Sequence, residues 1–240
     1  MPQVEDWTRY YRHEATTRRF VPEEDPAEEE RAAFAGQLLP AGSLGRTLDV
    51  GAGDGWLAAM LNRRPATAVT VLDLVPQRAE RAARRVGGAG AAARAEQLPF
   101  AEGAFDTVVM IEVLEHVSDV AAVLAEVRRV ALGGRLLITV PHEQKIPWVT
   151  CPCCLKEFPV DGHLHSFSAQ SLRAMLEECG LSPREVTVYR RDIDRRWQQI
   201  PPFRWLGQRA GRAIKHRLEK WRIVDAPPGR FIGAMVDPVQ

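Results

Sequence analysis

The run Glu112-Val113-Leu114-Glu115-His116 puts two carboxylates and an imidazole at positions i, i+3 and i+4. One helical turn would bring all three onto one face. Oxygen and nitrogen donors converging in this way form a ligand set for a divalent cation beside a cofactor. The alternative is a polar turn whose glutamates face water. A second group is Cys151-Pro152-Cys153-Cys154, followed after eight residues by Gly162-His163-Leu164-His165. Cys151, Cys154 and His165 would supply most of a zinc site, with Cys153 or His163 as the fourth ligand. A redox pair and free thiols packed in a loop are the alternatives. His142 follows Pro141. An imidazole at this place suits a general base, or else it hydrogen-bonds a backbone carbonyl.

These residues need a scaffold, and the pattern of apolar runs supplies one. Strands are expected at 47–50, 68–72, 91–94, 105–111 and 135–140, with helices near 55–63, 76–86 and 119–131 between them. Such alternation means a doubly wound parallel sheet. Glu112 follows directly on the fourth strand, and ligands bind just beyond the carboxyl ends of parallel strands. A helix at 168–179 ends on Gly180, and strands at 185–189 and 231–236 complete the sheet as an antiparallel pair. The expected class is α/β, a doubly wound seven-stranded Rossmann-like sheet, parallel with one antiparallel strand. Residues 1–45 read as a helical preface with an acidic linker. Residues 46–240 read as the main domain. Within it, the Pro-, Cys- and His-rich stretch 141–167 has no helical or strand period and reads as an ordered insertion.

At the end of the first strand stands Asp49-Val50-Gly51-Ala52-Gly53-Asp54-Gly55. Gly51 and Gly53 let the backbone approach a ligand with no Cβ in the way. A dinucleotide fingerprint places its third glycine one residue later, so the spacing argues for a smaller group than a pyrophosphate. The second strand ends in Asp73-Leu74, and an acidic residue there bonds ribose hydroxyls in nucleotide-binding folds.

Taken with Ala95-Glu96-Gln97-Leu98-Pro99-Phe100, Phe105-Asp106, Leu114-Glu115-His116 and Gly133-Gly134, these motifs resemble the class I S-adenosylmethionine-dependent methyltransferases. The resemblance covers about residues 45–140 and continues weakly to 181. It implies that Asp49, Gly51 and Gly53 surround the methionine portion of S-adenosylmethionine. It further implies that Asp73, with Leu74 beside it, binds the ribose, that Ala95-Glu96 lines the adenine edge, and that Ile111 packs under the cofactor. Family members usually carry Asp before the Ala-Glu pair, whereas this chain has Arg94. The narrower pattern Glu112-x-x-Glu115-His116 is similar to metal-dependent O-methyltransferases, both the catechol-type enzymes of ubiquinone synthesis and the small-RNA 2′-O-methyltransferases. The latter add a His five residues before a Ser/Thr, and His163 stands five before Ser168. The implied metal set is Glu112, Glu115, His116 and His163, holding Mg²⁺ or Mn²⁺.

The acceptor is less defined. Residues 184–222 hold twelve Lys or Arg against four Asp or Glu, with Trp197, Phe203, Trp205 and Trp221 interleaved. The basic, aromatic part, 190–228, suits a saccharide, an anionic small molecule or RNA, or is an amphipathic helix with ordinary core tryptophans. The net charge of +1 argues against a nucleic-acid enzyme. The expected function is O-methylation of a small polar acceptor, a saccharide or catechol-like hydroxyl. RNA 2′-O-methylation and a non-catalytic S-adenosylmethionine-binding interaction module are the alternatives. The sequence shows no signal peptide and no apolar run of transmembrane length, and clustered cysteines suit a reducing compartment. A cytoplasmic location without membrane contact is expected.

Overall fold

The computed structural model describes residues 7–17, 26–189 and 231–240. In chain order the elements are α1 (Trp7–Thr17), α2 (Pro26–Leu38), β1 (Gly45–Val50), α3 (Trp56–Leu61), β2 (Thr67–Asp73), α4 (Pro76–Val86), β3 (Gly90–Ala92), β4 (Thr107–Ile111), a 3-10 turn (Leu114–His116), α5 (Val120–Val130), β5 (Arg135–Pro141), β6 (Trp148–Thr150), β7 (Glu157–Pro159), α6 (Ala169–Glu178), β8 (Glu185–Tyr189) and β9 (Phe231–Val236). Seven strands form one sheet in the order β3-β2-β1-β4-β5-β9-β8. All neighbours are parallel except that β9 runs antiparallel to both β5 and β8. The expected α/β class, doubly wound sheet and single antiparallel strand are therefore found. The basic segment 190–228 lies outside the described residues.

The strand order reverses beside β1, because β2 and β3 lie on one side of it and β4 and β5 on the other. This is the switch point where open α/β sheets bind ligands. Side chains alternate across the sheet with a period of two. Leu48, Val50, Val108, Met110, Leu136 and Ile138 face α5 and α6, packing on Val123, Leu124, Val127, Leu172 and Leu176. Val69, Val71, Val109, Leu137 and Met235 face α2, α3 and α4. Strands buried on both sides must be apolar throughout, which explains the unbroken run Val108-Val109-Met110. Within the stretch 1–45, α2 packs on the sheet. Ala35 and Leu39 of α2 and its end join the second core face, and a Cβ on Gly233 would come within 2.2 Å of Leu38 Cδ1. Glycine in β9 thus lets α2 lie flat on the sheet.

The segment 141–167, which shows no strand period in sequence, contains an antiparallel hairpin of β6 and β7, pairing Trp148 with Pro159 and Thr150 with Glu157. Three-residue strands are too short to display alternation. Among the described residues, no helix is long and apolar enough to cross a membrane.

Candidate functional site

The turn after β1 is built from three glycines at positive φ with three different roles. A Cβ on Gly51 (φ 75) would meet Val113 Cγ2 at 2.5 Å, and one on Gly55 (φ 75) would meet Ala82 Cα at 2.6 Å. Those two glycines allow the turn to press against the segment after β4 and against α4. A Cβ on Gly53 (φ 55) would meet nothing within 4 Å. Gly53 therefore borders open space, the clearance a cofactor needs. Its amide donates to Asp73 Oδ2 (3.0 Å), while the Val75 amide donates to Oδ1 (2.8 Å). Asp73 is buried, which raises its carboxyl above the ordinary range against the pull of those two amides. Asp49, fully buried behind the turn, is pushed up to about 8 by burial first and by Asp73 second. Its Oδ2 has no hydrogen-bond partner among the described residues.

The other residues expected to line the cofactor are placed as follows. Leu74 follows Asp73 and is half-buried. Ile111, like Ala52 and Leu57, packs against the second core face, and Ala95 packs against the first. Glu96 is held at 2.9 Å by the guanidinium of Arg94. The residue that departs from the superfamily pattern thus ties down its acidic neighbour.

Glu112 corrects the expected geometry of the acidic run. It sits at φ 56, in the left-handed region, and the helix that follows is a 3-10 turn starting at Leu114. Its amide still pairs with the sheet, donating to Thr139 O (2.9 Å). The chain thus reverses at Glu112, and no single helical face presents all three side chains. The Glu112 carboxylate accepts from Thr139 Oγ1 (3.0 Å) and lies 3.9 Å from Arg31 Nε.

What does converge is Glu115, His116 and His163, one ligand atom of each lying within 4.8 Å of the others. Among the described residues neither oxygen of buried Glu115 has a hydrogen-bond partner. Burial, and Glu112 next, raise its carboxyl well above the ordinary range. His116 Nδ1 faces the carbonyl of Gly162 (3.3 Å) and the hydroxyl of Tyr11 (2.9 Å). A carbonyl only accepts, so the tautomer that satisfies Gly162 has its proton on Nδ1, and in that tautomer Nε2, 3.9 Å from Glu115 Oε1, keeps its lone pair. His163 Nδ1 is likewise engaged, by Gln144 Oε1. Burial pushes the His116 pKa down to about 4, with His163 the next cause, so the ring is neutral as metal ligation requires. The donor set fits a divalent ion.

Sequence reasoning missed Tyr11 and Arg31. Tyr11 meets His116 edge to face, and burial raises its phenol pKa. Glu14, one turn on, pairs with Arg78 of α4 at 3.2 Å, so α1 bridges the cofactor and ligand clusters. Arg31 lies over the Phe231 ring, 5.5 Å from its centre. Nothing in the helical pattern of 1–45 marks either residue, because both act across gaps of many residues.

His142 lies just beyond β5, bridged to Phe167, with its Nε2 4.0 Å from Glu143. The expected zinc set does not assemble. His165 Nε2 donates to the Val117 carbonyl (2.8 Å), and among the described residues Glu115, His116 and His163 form the sole group with metal-binding spacing. The backbone of 163–165 is held at the 3-10 turn, the Leu164 amide donating to Glu115 O at 2.6 Å, which carries these histidines away from the cysteines.

Comparison with known proteins agrees with this geometry. The methyltransferase domain family matches residues 11–186. The ubiquinone/menaquinone biosynthesis C-methyltransferase of Desulfotalea psychrophila is 38% identical over 109 residues, covering 42% of this chain and 44% of that protein. The malonyl-[acyl-carrier protein] O-methyltransferase of Geobacter sulfurreducens is 40% identical over 102 residues, covering 40% of this chain and 37% of that one. The matched stretches thus span less than half of these relatives, whose names differ in the acceptor atom. In fold, the 1,6-didemethyltoxoflavin-N1-methyltransferase of Burkholderia thailandensis superimposes with a TM-score of 0.63 at 18% identity, covering 97% of this chain and 87% of that one. With its glycine turn at the switch point and Asp73 at the end of β2, the chain belongs to the methyltransferase domain family, within the class I S-adenosylmethionine-dependent superfamily.

Proposed function

We propose that this protein methylates a hydroxyl of a small polar acceptor, a saccharide or catechol-like compound, with a divalent cation assisting. The single observation that carries the reading is the pair of buried Glu115 oxygens, without a hydrogen bond among the described residues, that lie beside two imidazoles. Desolvating a carboxylate without a partner costs several kcal/mol, on the order of what a bound cation returns. Glu115, His116 and His163 would hold Mn²⁺ or Mg²⁺, and Glu112 stands beside them. Gly53 and Asp73 would seat S-adenosylmethionine, with Asp49, Gly51, Leu74, Ala95, Glu96 and Ile111 around it.

When bound, S-adenosylmethionine supplies an electrophilic methyl, and a divalent ion supplies charge that lowers the pKa of a nearby hydroxyl. The protein's task is alignment and proton removal. The chain's own residues would hold the acceptor hydroxyl in line and take up its proton as the methyl is transferred, for which His142 is the proposed base. Arg31 and Tyr11 roof the ligand cluster and would exclude water.

The test is methyl transfer to a panel of hydroxylated small molecules, with and without chelator, followed by product analysis. The reading expects O-methyl products, loss with chelator and recovery with Mn²⁺ or Mg²⁺. Carbon methylation, as the name of the Desulfotalea relative describes, or turnover indifferent to chelation would overturn it.

A further inference from the structure

The β6–β7 hairpin carries chemistry that methyl transfer does not use. Cys151 follows β6, and the chain turns back tightly. The Cys151 amide donates to Lys156 O (2.8 Å) and the Leu155 amide donates to Cys151 O (2.8 Å). Leu155 takes the left-handed conformation (φ 57) that closes the turn. Inside it, the Cys151 sulfur lies beside the Cys154 and Cys153 amides and the Cys154 side chain, so the two sulfurs of the Cys-x-x-Cys pair sit together, as in thiolate metal sites. Cys154 is exposed and Cys151 half-buried, and neither is in a disulfide. Cys151 and Cys154 thus present a pair of sulfurs at one turn, with the exposed thiol of Cys153 between them in sequence.

Two sulfurs are half of a tetrahedral site. Neither His163 nor His165 completes it, since the first belongs to the Glu115 cluster and the second is bonded to Val117 O. The surroundings point to what does. Trp148 (47% exposed), Val149 (40%), Leu155 (76%) and Val160 (40%) all lie on or beside this hairpin, and they make up four of the six exposed large hydrophobics among the described residues. An apolar face around an incomplete metal site is self-complementary: a two-fold axis through the metal brings the same two sulfurs and the same face from another copy.

We propose that Cys151 and Cys154 bind Zn²⁺ together with the same pair from a second copy of this chain, making the hairpin a metal-linked dimer interface. Thiolates select zinc over the harder ions suited to the Glu115 cluster. Each zinc displaces one proton from each of four thiols, with no change in oxidation state.

The test uses the full-length, reduced, metal-free protein titrated with Zn²⁺, read by sedimentation and bound-zinc content, and with Co²⁺ read by its thiolate charge-transfer absorption. The Co²⁺ band separates this site from the nitrogen–oxygen cluster. Expected are a zinc-dependent dimer holding about one sulfur-bound metal per two chains and a four-thiolate Co²⁺ spectrum. Cys151→Ser or Cys154→Ser should abolish the dimer. Either change should weaken the metal by more than the roughly 10–100-fold that losing a supporting residue costs, with cofactor binding retained. Cys153→Ser should keep both, which also controls for damage to the turn. A monomer with one sulfur-bound zinc per chain, loss of metal in Cys153→Ser, a dimer indifferent to chelation, or no thiolate-bound metal would each overturn the proposal.

Discussion

Asp49 carries a buried carboxyl whose pKa is pushed up to about 8, and two predictions follow from the sign of that shift. The folded chain holds a proton there that the unfolded chain releases near ~4. Stability on this account is therefore fully present below that pH and is lost as pH rises towards about 8. Asp49→Asn should flatten this slope, so thermal melts at pH ~9 should show the variant more stable than the parent; equal slopes would refute it. A cationic methyl donor bound nearby should release the same proton. Titration calorimetry in buffers of different ionisation heat should find up to about one proton released per cofactor below pH ~8. Gly51 and Gly53 separate packing from binding. Gly51→Ala should cost stability beyond the ~1–2 kcal/mol of a left-handed non-glycine residue, because its Cβ meets Val113. Gly53→Ala should cost only about that amount yet weaken the cofactor, as melts beside binding isotherms would show.

At the scale of elements, α1 and the 3-10 turn act as a pair. Tyr11 reaches His116, and Glu14 reaches Arg78, so one helix braces both the proposed metal ligand and the start of α4. Tyr11→Phe removes the hydroxyl and leaves the ring. Metal affinity or turnover should fall roughly 10–100-fold, as for other groups that orient a liganding histidine. Cofactor binding, measured separately, should be unchanged; an unchanged metal affinity and turnover would show that Tyr11 only packs. Where α2 meets β9, the glycine at 233 leaves no room for a side chain, and Gly233→Val should loosen that helix, seen as faster amide exchange over 30–38.

Across the whole molecule, the buried core lies in the doubly covered sheet and the candidate site at its carboxyl rim. Ile138 is fully buried at the centre of β5, and Ile138→Ala should cost ~2–5 kcal/mol in denaturant unfolding. Leu155→Asn on the exposed hairpin should change the same measurement by less than ~0.5 kcal/mol in the metal-free chain. Comparable losses at both positions would contradict this division between core and periphery.

The seven strands of the main sheet, their order along the chain and the glycine turn with Asp73 opposite were legible in the residues themselves, because strands buried on two faces must be apolar and a close backbone approach demands glycine. Glu115 and His116 were legible from their own spacing, but His163 joined them only through resemblance, since nothing local links positions 47 residues apart. Their meeting depends on the segment after β5 folding back so that the Leu164 amide caps Glu115 O. The left-handed turn at Glu112, the arrival of Tyr11 and Arg31, and the parting of His165 from the cysteines were decided by tertiary packing. Each depends on which surfaces are brought together, and a periodic pattern of side chains carries no record of that.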